Sequence, residues 1–378
     1  MDGLITDEKL ARMQEDVGVE HTVDLAWYRG ASQDAVWQFA LGLGDDNPLW
    51  WDRSYAESGP VGRMFAPPTF LYALTHEITP PGHEVKSGDA EWLPGIAGLW
   101  AGDTWTWHSR IWVDESITAT RRLVEASERT SSSPGRSVLQ VDAYRFHGED
   151  GRLIAELRRT VIRYERSSRR KTSKHLDLPP ASYTMEQRQE IIDQYAGEAA
   201  ARRGSEARFW DDVAVGDIMP TLVKGPLTLT SMIGWLMGSG GSQVPTNRML
   251  WTFFDQHPAA RLFDDESGID DTLEGGHWDQ NFARRAGLPR GYDFGSQRIA
   301  FASHVATDWC GDEGELIGLE ARLRAPSFLG DTQWFTGKVV SKERDDHGAR
   351  VVCEIEASNQ RAELTTTAIA TIALPTRS

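Results

Sequence analysis

A chain of 378 residues that is 40% hydrophobic and 25% charged is long enough for two globular domains, each with its own core. Its 56 acidic and 40 basic residues give a net charge of −16, which disfavours nucleic acids and anionic membranes as partners. The two cysteines, Cys310 and Cys353, lack the spacing of a zinc site, and no phosphate-cradling loop is present. We therefore expect neither a metal nor another cofactor.

The sequence also lacks the features of a membrane or exported protein. No apolar run approaches the roughly 20 residues that span a bilayer. Residues 1–7 have neither the basic start nor the apolar stretch of a signal peptide. Together with the scarcity of cysteine, these features predict a cytoplasmic protein.

The first predicted helix begins after Ser32, a favourable cap, and ends at Gly44. Its apolar residues Val36, Phe39 and Leu43 recur with the helical period. The pattern indicates an amphipathic helix that packs one face against a core.

A second helix is expected over residues 67–77, where proline suits a first helical turn. Segments with the two-residue alternation of strands follow it, at residues 104–113, 117–128, 135–147 and 152–164. This order predicts a central helix covered by an antiparallel sheet.

The second half repeats that order after a polar, basic linker and a helix capped by Thr184. Further helices are predicted near residues 229–239 and 295–308, and strands near residues 316–325, 332–343, 349–358 and 361–373. About thirty additional residues, mostly between 240 and 276, distinguish the second half from the first. The predicted division is an N-terminal domain at 1–166, a linker with a helix at 167–205, and a C-terminal domain at 206–378.

A Gly-Asp-Thr tripeptide occurs in each half, at residues 102–104 and 330–332. The two stand at nearly the same distance from Ala66 and Tyr292, where the two central helices are expected to begin. The similar spacing predicts two copies of one unit. The expected fold is α+β, a double hot-dog in which two antiparallel sheets each wrap a central helix.

Residues 44–52 read Gly-Asp-Asp-Asn-Pro-Leu-Trp-Trp-Asp. This run resembles the signature of the MaoC-like enoyl-CoA hydratase and dehydratase family, Gly/Ser-Asp-x-Asn-Pro-Leu/Ile-His-x-Asp, and the whole chain looks like the subgroup with two fused hot-dog domains. Asp45 falls on the family's catalytic aspartate, Asn47 on its asparagine and Asp52 on its last aspartate. Trp50 occupies the histidine position, so we expect a degenerate first half.

Asp45 and Asn47 have a second interpretation, which the residues alone leave open. Directly after a helix, and followed by Pro48, they could form a helix cap and a turn with no catalytic role.

In the second half, residues 274–279 read Glu-Gly-Gly-His-Trp-Asp. His277 matches the family's histidine and Asp279 its last aspartate. Thr272 stands where the family has its catalytic aspartate, and Glu274 is nearby but out of register. The resemblance implies that His277 is catalytic, with Asp279 or another nearby carboxylate as its partner.

The implied reaction is the reversible hydration of a 2-enoyl thioester, or the dehydration of a 3-hydroxyacyl thioester, on coenzyme A or an acyl carrier protein. Gly295, where the second central helix should begin, would bring a backbone N–H to the thioester oxygen. Tyr292, Gln297 and Arg298 are candidates for orienting the substrate, although a structural salt bridge is an equal interpretation of Arg298.

Two other functions remain open because a fold alone does not choose among them. The protein could hydrolyse acyl thioesters, or it could be a catalytically degenerate, acyl-binding partner subunit. A homodimer is compatible with the resemblance.

Overall fold

The computed structural model describes residues 3–78, 92–129, 135–165, 176–240, 244–346 and 348–377. Its strands are β1 (Glu20–Thr22), β2 (Ala97–Trp107), β3 (Ile117–Arg129), β4 (Ser137–Gly148), β5 (Leu153–Tyr164), β6 (Ile218–Lys224), β7 (Leu262–Asp264), β8 (Ile269–Asp271), β9 (Glu315–Leu323), β10 (Gln333–Asp345), β11 (Gly348–Asn359) and β12 (Leu364–Ala373). Its α-helices are α1 (Asp7–Glu15), α2 (Gln33–Leu43), α3 (Pro48–Trp51), α4 (Arg53–Ser58), α5 (Met185–Ala201), α6 (Leu229–Ser239), α7 (Asn247–Gln256), α8 (Gln280–Arg285) and α9 (Gly295–Cys310). The 3₁₀-helices are Pro68–Leu74, Trp210–Asp212, Pro258–Ala260 and Leu273–His277.

Ten strands form one antiparallel sheet in the order β1-β3-β4-β5-β2-β9-β12-β11-β10-β6. The second five strands repeat the connectivity of the first five in reverse order, and the two halves meet where β2 pairs with β9. Each half wraps a buried helical segment: Pro68–Leu74 in the first and α9 in the second. This arrangement confirms the predicted double hot-dog.

The second central helix is longer and more regular than the first. Every residue of α9 from Ser296 to Cys310 is buried. The predicted first helix over 67–77 is instead the short 3₁₀-helix Pro68–Leu74. Prolines at its start remove backbone donors, and Thr75 ends it by donating both its N–H and its hydroxyl to the Tyr72 carbonyl.

The two Gly-Asp-Thr tripeptides do not occupy equivalent places, which corrects the alignment of the two halves. Residues 102–104 lie inside β2, whose counterpart in the sheet is β9. Residues 330–332 precede β10, the counterpart of β3. Their roles differ accordingly, because a Cβ on Gly102 would overlap the Ala321 carbonyl of β9, whereas Asp331 pairs with Arg361 in a turn. The predicted strand 104–113 also begins earlier and ends at Trp107.

Helix α5 lies between the two halves, and the insertion lies in the second half, before residues 273–277. Helix α5 begins with the expected capping box of Thr184 and Gln187. Residues 166–175 of the predicted linker lie outside the described residues, and the domain boundaries stay a prediction. The described part of the insertion contains α7 and the β7–β8 hairpin, and it leads directly into the 3₁₀-helix Leu273–His277.

None of the described helices is both long and apolar enough to span a bilayer.

Helices α2 and α6 are counterparts in the two halves and pack against each other through glycine. A Cβ on Gly42 would overlap the carbonyl group of Gly234 and lie 2.9 Å from its carbon atom. A Cβ on Gly234 would meet only the Gly42 Cα, at 3.8 Å. The close approach of the two helices therefore requires glycine at residue 42 but not at residue 234. It also requires Gly238 of α6, because a Cβ there would lie 2.5 Å from the Gln38 carbonyl oxygen of α2.

This asymmetry gives a matched pair of variants. Gly42→Ala should lower the free energy of unfolding by about 1–3 kcal/mol, because the helices must separate. Gly234→Ala should be neutral or raise it by about 0.5–1 kcal/mol, because alanine is the better helix former. Denaturant unfolding of both variants measures the difference, and equal effects would contradict the described packing.

Candidate active site

The segment after α2 and the segment before α8 are built alike. Asp52 caps α4, and Asp279 caps α8, each through its side-chain oxygen and the backbone N–H groups of the first turn. Two positions before these caps stand Trp50 in the first half and His277 in the second. The structure therefore places these two residues in corresponding positions, as the sequence signature predicted.

His277 is held in one orientation by its surroundings. Its Nδ1 lies 2.8 Å from the carbonyl oxygen of Tyr292, and its ring lies 4.2 Å from the Tyr292 ring and 4.0 Å from that of Phe294. A carbonyl oxygen can only accept, so Nδ1 carries the proton. In the neutral ring, Nε2 then presents a lone pair, and Phe294 places this imidazole next to the first residue of α9.

The carboxylate beside Nε2 belongs to Glu274, whose Oε2 lies 3.5 Å from it. Both residues lie on the 3₁₀-helix Leu273–His277, and this helix has three residues per turn. Residues three apart are therefore eclipsed, which brings the two side chains together. In the family signature, the catalytic aspartate stands five residues before the histidine. In this structure Glu274, three residues before His277, lies beside the imidazole instead.

The environment of the pair shifts both groups towards their neutral forms. Burial, with the nearby Asp271 carboxylate, raises the pKa of Glu274 to about 7. Burial lowers the pKa of His277 to about 4, although its hydrogen bond to the Tyr292 backbone opposes this. The side chains are 14% exposed for His277 and 29% exposed for Glu274, so water can reach them.

Asp279, the expected partner of His277, has a different set of contacts. Its Oδ1 accepts from the backbone N–H groups of Asn281 at 2.7 Å and Phe282 at 3.0 Å. These contacts stabilise the start of α8, and they favour Glu274 as the acid–base partner of His277.

Gly295 is the first residue of α9, as predicted. A Cβ at this position would lie 2.6 Å from the Cβ of Trp100, which belongs to the first half. Glycine therefore allows the first half to pack directly against the N-terminus of the second central helix. Phe294, the residue before this terminus, stacks on His277 with the ring centroids 4.0 Å apart.

The remaining candidates for substrate binding differ in how fully their polar groups are used. Arg298 pairs with Asp293 at 2.7 and 2.8 Å and also donates to backbone carbonyls, which favours its structural interpretation. Tyr292 holds His277 through its main-chain carbonyl. Gln297 is buried, and its Oε1 accepts no hydrogen bond among the described residues, so its role in orienting a substrate stays a prediction.

In the first half, Asp45 and Asn47 form a closed turn. Asp45 Oδ2 accepts from Trp50 Nε1 at 2.8 Å, and its Oδ1 accepts from the Asn47 backbone N–H at 3.0 Å. The Asn47 side chain caps α3 by accepting from the Leu49 N–H. Trp50 thus replaces the histidine as a hydrogen-bond donor, but an indole N–H cannot exchange protons with a substrate. This geometry supports the structural interpretation of the turn.

Sequence comparison did not associate His304 with Asp45, yet α9 brings them together. His304 Nε2 lies 3.4 Å from Asp45 Oδ1 and 3.2 Å from Asp308 Oδ2. Within the described residues, these three form the one group of acidic and histidine side chains whose donor atoms could share a metal ion. The sequence contains no pattern that pairs His304 of the second half with Asp45 of the first, so it could not predict this contact.

A cleft of about 450 Å³ lies between the first half and the end of α9. Its lining is mostly apolar and includes Leu49, Trp50, Phe65, Trp107 and Cys310. Its apolar character suits an acyl or aromatic group. The cleft borders Trp50, the counterpart of His277, and His277 itself is not among its lining residues.

Comparison with known proteins places a dehydratase-type domain in the first half. Residues 21–157 match the family model "FAS1-like, dehydratase domain region". A UPF0336 protein of Parafrankia sp. (strain EAN1pec) is 27% identical over 144 residues, which is 38% of this chain and 88% of that protein.

Solved structures match nearly the whole chain. A structure described as a MaoC-like dehydratase superposes with a TM-score of 0.65 at 18% identity, covering 96% of this chain and 100% of its own. A putative MaoC domain protein dehydratase from Chloroflexus aurantiacus J-10-fl gives 0.57 at 13% identity, with 96% and 97% covered. A conserved hypothetical protein from Mycobacterium tuberculosis, described as a double hotdog fold, gives 0.56 at 11% identity, with 95% and 97% covered. The predicted resemblance is confirmed: the chain combines a dehydratase-type domain with the double hot-dog fold of these proteins.

The two equivalent caps provide a test of the role of Asp279. Asp279→Ala should lower the free energy of unfolding by about 1 kcal/mol, because two backbone donors at the start of α8 lose their acceptor. Asp52→Ala is the matched control in the first half, with an expected loss of similar size. Denaturant unfolding measures both losses, and an unchanged stability of the Asp279 variant would contradict the capping role.

Proposed function

We propose that the protein is a hydro-lyase that interconverts 2-enoyl and 3-hydroxyacyl thioesters, carried on coenzyme A or on an acyl carrier protein. The observation that carries the proposal is the Glu274–His277 pair at the start of α9. It supplies a base and an acid 3.5 Å apart, with the tautomer of the base fixed by the Tyr292 carbonyl.

In the dehydration direction, neutral His277 accepts the Cα proton at Nε2. The electron pair left on Cα moves towards the thioester carbonyl, whose oxygen gains negative charge. The Glu274 carboxyl group then protonates the leaving 3-hydroxyl group, which departs as water while the Cα–Cβ double bond forms. Hydration is the reverse, with the Glu274 carboxylate activating water and the imidazolium returning the proton to Cα.

The N-terminus of α9 is suited to stabilise the enolate oxygen. The first backbone N–H groups of a helix have no intrahelical acceptor, and the helix dipole places partial positive charge there. Residue 295 adds no side chain of its own at this terminus, where Trp100 and Leu323 already pack closely. The long, buried helix behind it keeps the donors fixed.

The first half has no proton-transfer role in this proposal. Its family match is to a dehydratase domain region, but Trp50 cannot transfer a proton. We assign the first half a structural role, and the lining of its apolar cleft includes neither His277 nor Glu274.

The proposal predicts the effect of removing the base. His277→Ala should lower the hydration rate of the best enoyl thioester by about 10²–10⁴-fold, the usual contribution of one general acid or base. The assay follows loss of the conjugated enoyl absorbance. His108→Ala, which alters a more exposed histidine paired with Glu156, is the control and should retain full activity.

The same assay distinguishes the other two functions. Release of a free thiol without loss of the enoyl group would indicate a thioester hydrolase. Binding of the thioester without either reaction would indicate a partner subunit. Full activity of a folded His277→Ala variant would contradict the proposed site.

The pKa values of the pair predict the pH dependence. Dehydration requires neutral His277, which exists above its pKa of about 4, and protonated Glu274, which exists below its pKa of about 7. Activity should therefore be greatest between these values and fall as the pH rises through about 7. In Glu274→Gln the rate should be lower and the decline near pH 7 should be absent. A decline that persists in this variant would assign it to another group.

A further inference from the structure

We propose that Asp45, His304 and Asp308 bind a first-row transition-metal dication such as Zn²⁺. The site would connect the motif turn of the first half to the central helix of the second. It lies apart from the Glu274–His277 pair and does not depend on the proposed reaction.

The nearest donor atoms of Asp45, His304 and Asp308 all lie within 4.8 Å of one another. His304 Nε2 lies 3.4 Å from Asp45 Oδ1 and 3.2 Å from Asp308 Oδ2, and Glu198 Oε1 is 3.8 Å away. Ligand atoms about 2.0–2.1 Å from a tetrahedral metal lie about 3.3–3.4 Å from one another. Imidazole nitrogen and carboxylate oxygen are both ligand types that zinc accepts, and three protein ligands leave a fourth position for water.

The orientation of His304 supports a metal over a hydrogen bond. The residue is 1% exposed, and neither of its ring nitrogens makes a hydrogen bond of acceptable geometry to a described residue. The oxygens near Nε2 therefore lie off the axis along which an N–H would point. Oxygens around a shared metal have this placement, because the metal itself occupies that axis.

The charges around the site also leave room for a cation. The cations that face it are Arg202, which pairs with Asp308 and Asp46, and Lys224, which lies 3.7 Å from Glu198. The carboxylates of the cluster are Asp45, Asp46, Glu198 and Asp308. With neutral His304, four negative and two positive groups leave an excess that one dication would balance.

A second cleft lies beside the site, and its lining includes Glu198, Arg202 and Asp308. Of the three proposed ligands, Asp308 therefore borders a cleft, while Asp45 and His304 are buried.

The test measures metal directly in the intact protein. Wild-type protein is stripped with a chelator, dialysed against Zn²⁺ and analysed by mass spectrometry of the metal, with titration calorimetry in parallel. We expect one Zn²⁺ per chain, at least tenfold weaker binding in Asp308→Asn, and loss of binding in His304→Gln. His21→Ala, which removes a partly exposed histidine that pairs with Asp16, should still bind one Zn²⁺.

Thermal unfolding supplies an independent measurement. Zn²⁺ at about one hundred times its Kd should raise the melting temperature of the wild-type protein by about 3 °C, and should leave that of His304→Gln unchanged. Wild-type protein that retains no stoichiometric metal would overturn the proposal, and would indicate a protonated His304 paired with the carboxylates. Equal binding by wild-type and Asp308→Asn would overturn it as well. If the variants fail to fold, the wild-type stoichiometry alone decides.

Discussion

The pairing of β2 with β9 is the interaction on which the rest of the structure depends. It joins two five-stranded halves into one sheet and covers an edge of each that would otherwise be exposed. It also fixes the distance between the two buried helical segments, so that each half closes part of the other. Gly102 permits this approach because a side chain at that position would meet the backbone of β9. Trp100, two residues earlier, then reaches Gly295 at the start of α9.

Within this pseudo-symmetric frame, the two halves have kept different parts of one acid–base pair. The first half retains the aspartate, Asp45, and places the indole of Trp50 against it. The second half retains the histidine, His277, and obtains a carboxylate from Glu274 by tightening the chain into a 3₁₀-helix. An imidazole can take up and release protons near neutral pH, whereas an indole cannot. The proposed function therefore assigns this chemistry to the second half.

The sequence predicted the double hot-dog, the glycine at the start of α9 and the equivalence of Trp50 with His277, because these depend on local pattern and on order along the chain. It did not predict Glu274 as the partner, since the pattern assumed a fixed spacing that the 3₁₀-helix changes. The alignment of the two halves by the Gly-Asp-Thr repeat was wrong. The first tripeptide lies inside β2 and the second lies in a turn before β10, so the two have different structural roles. The contact between His304 and Asp45 was missed since the two residues come from opposite halves and only the folded chain brings them together.

The motif of the first half has a structural role that does not depend on catalysis. Asp45 holds the backbone of Asn47, accepts from Trp50 and faces His304 of the other half, and its side chain is almost wholly buried. Removing a buried charge that makes several hydrogen bonds leaves its donors unsatisfied, which costs stability whether or not the site turns over substrate. Selection for folding alone would then preserve the aspartate, while the histidine position, free of that constraint, could accept tryptophan. The presence of the aspartate alone therefore does not indicate activity. The residue at the histidine position, which must carry the proton, is the better indicator.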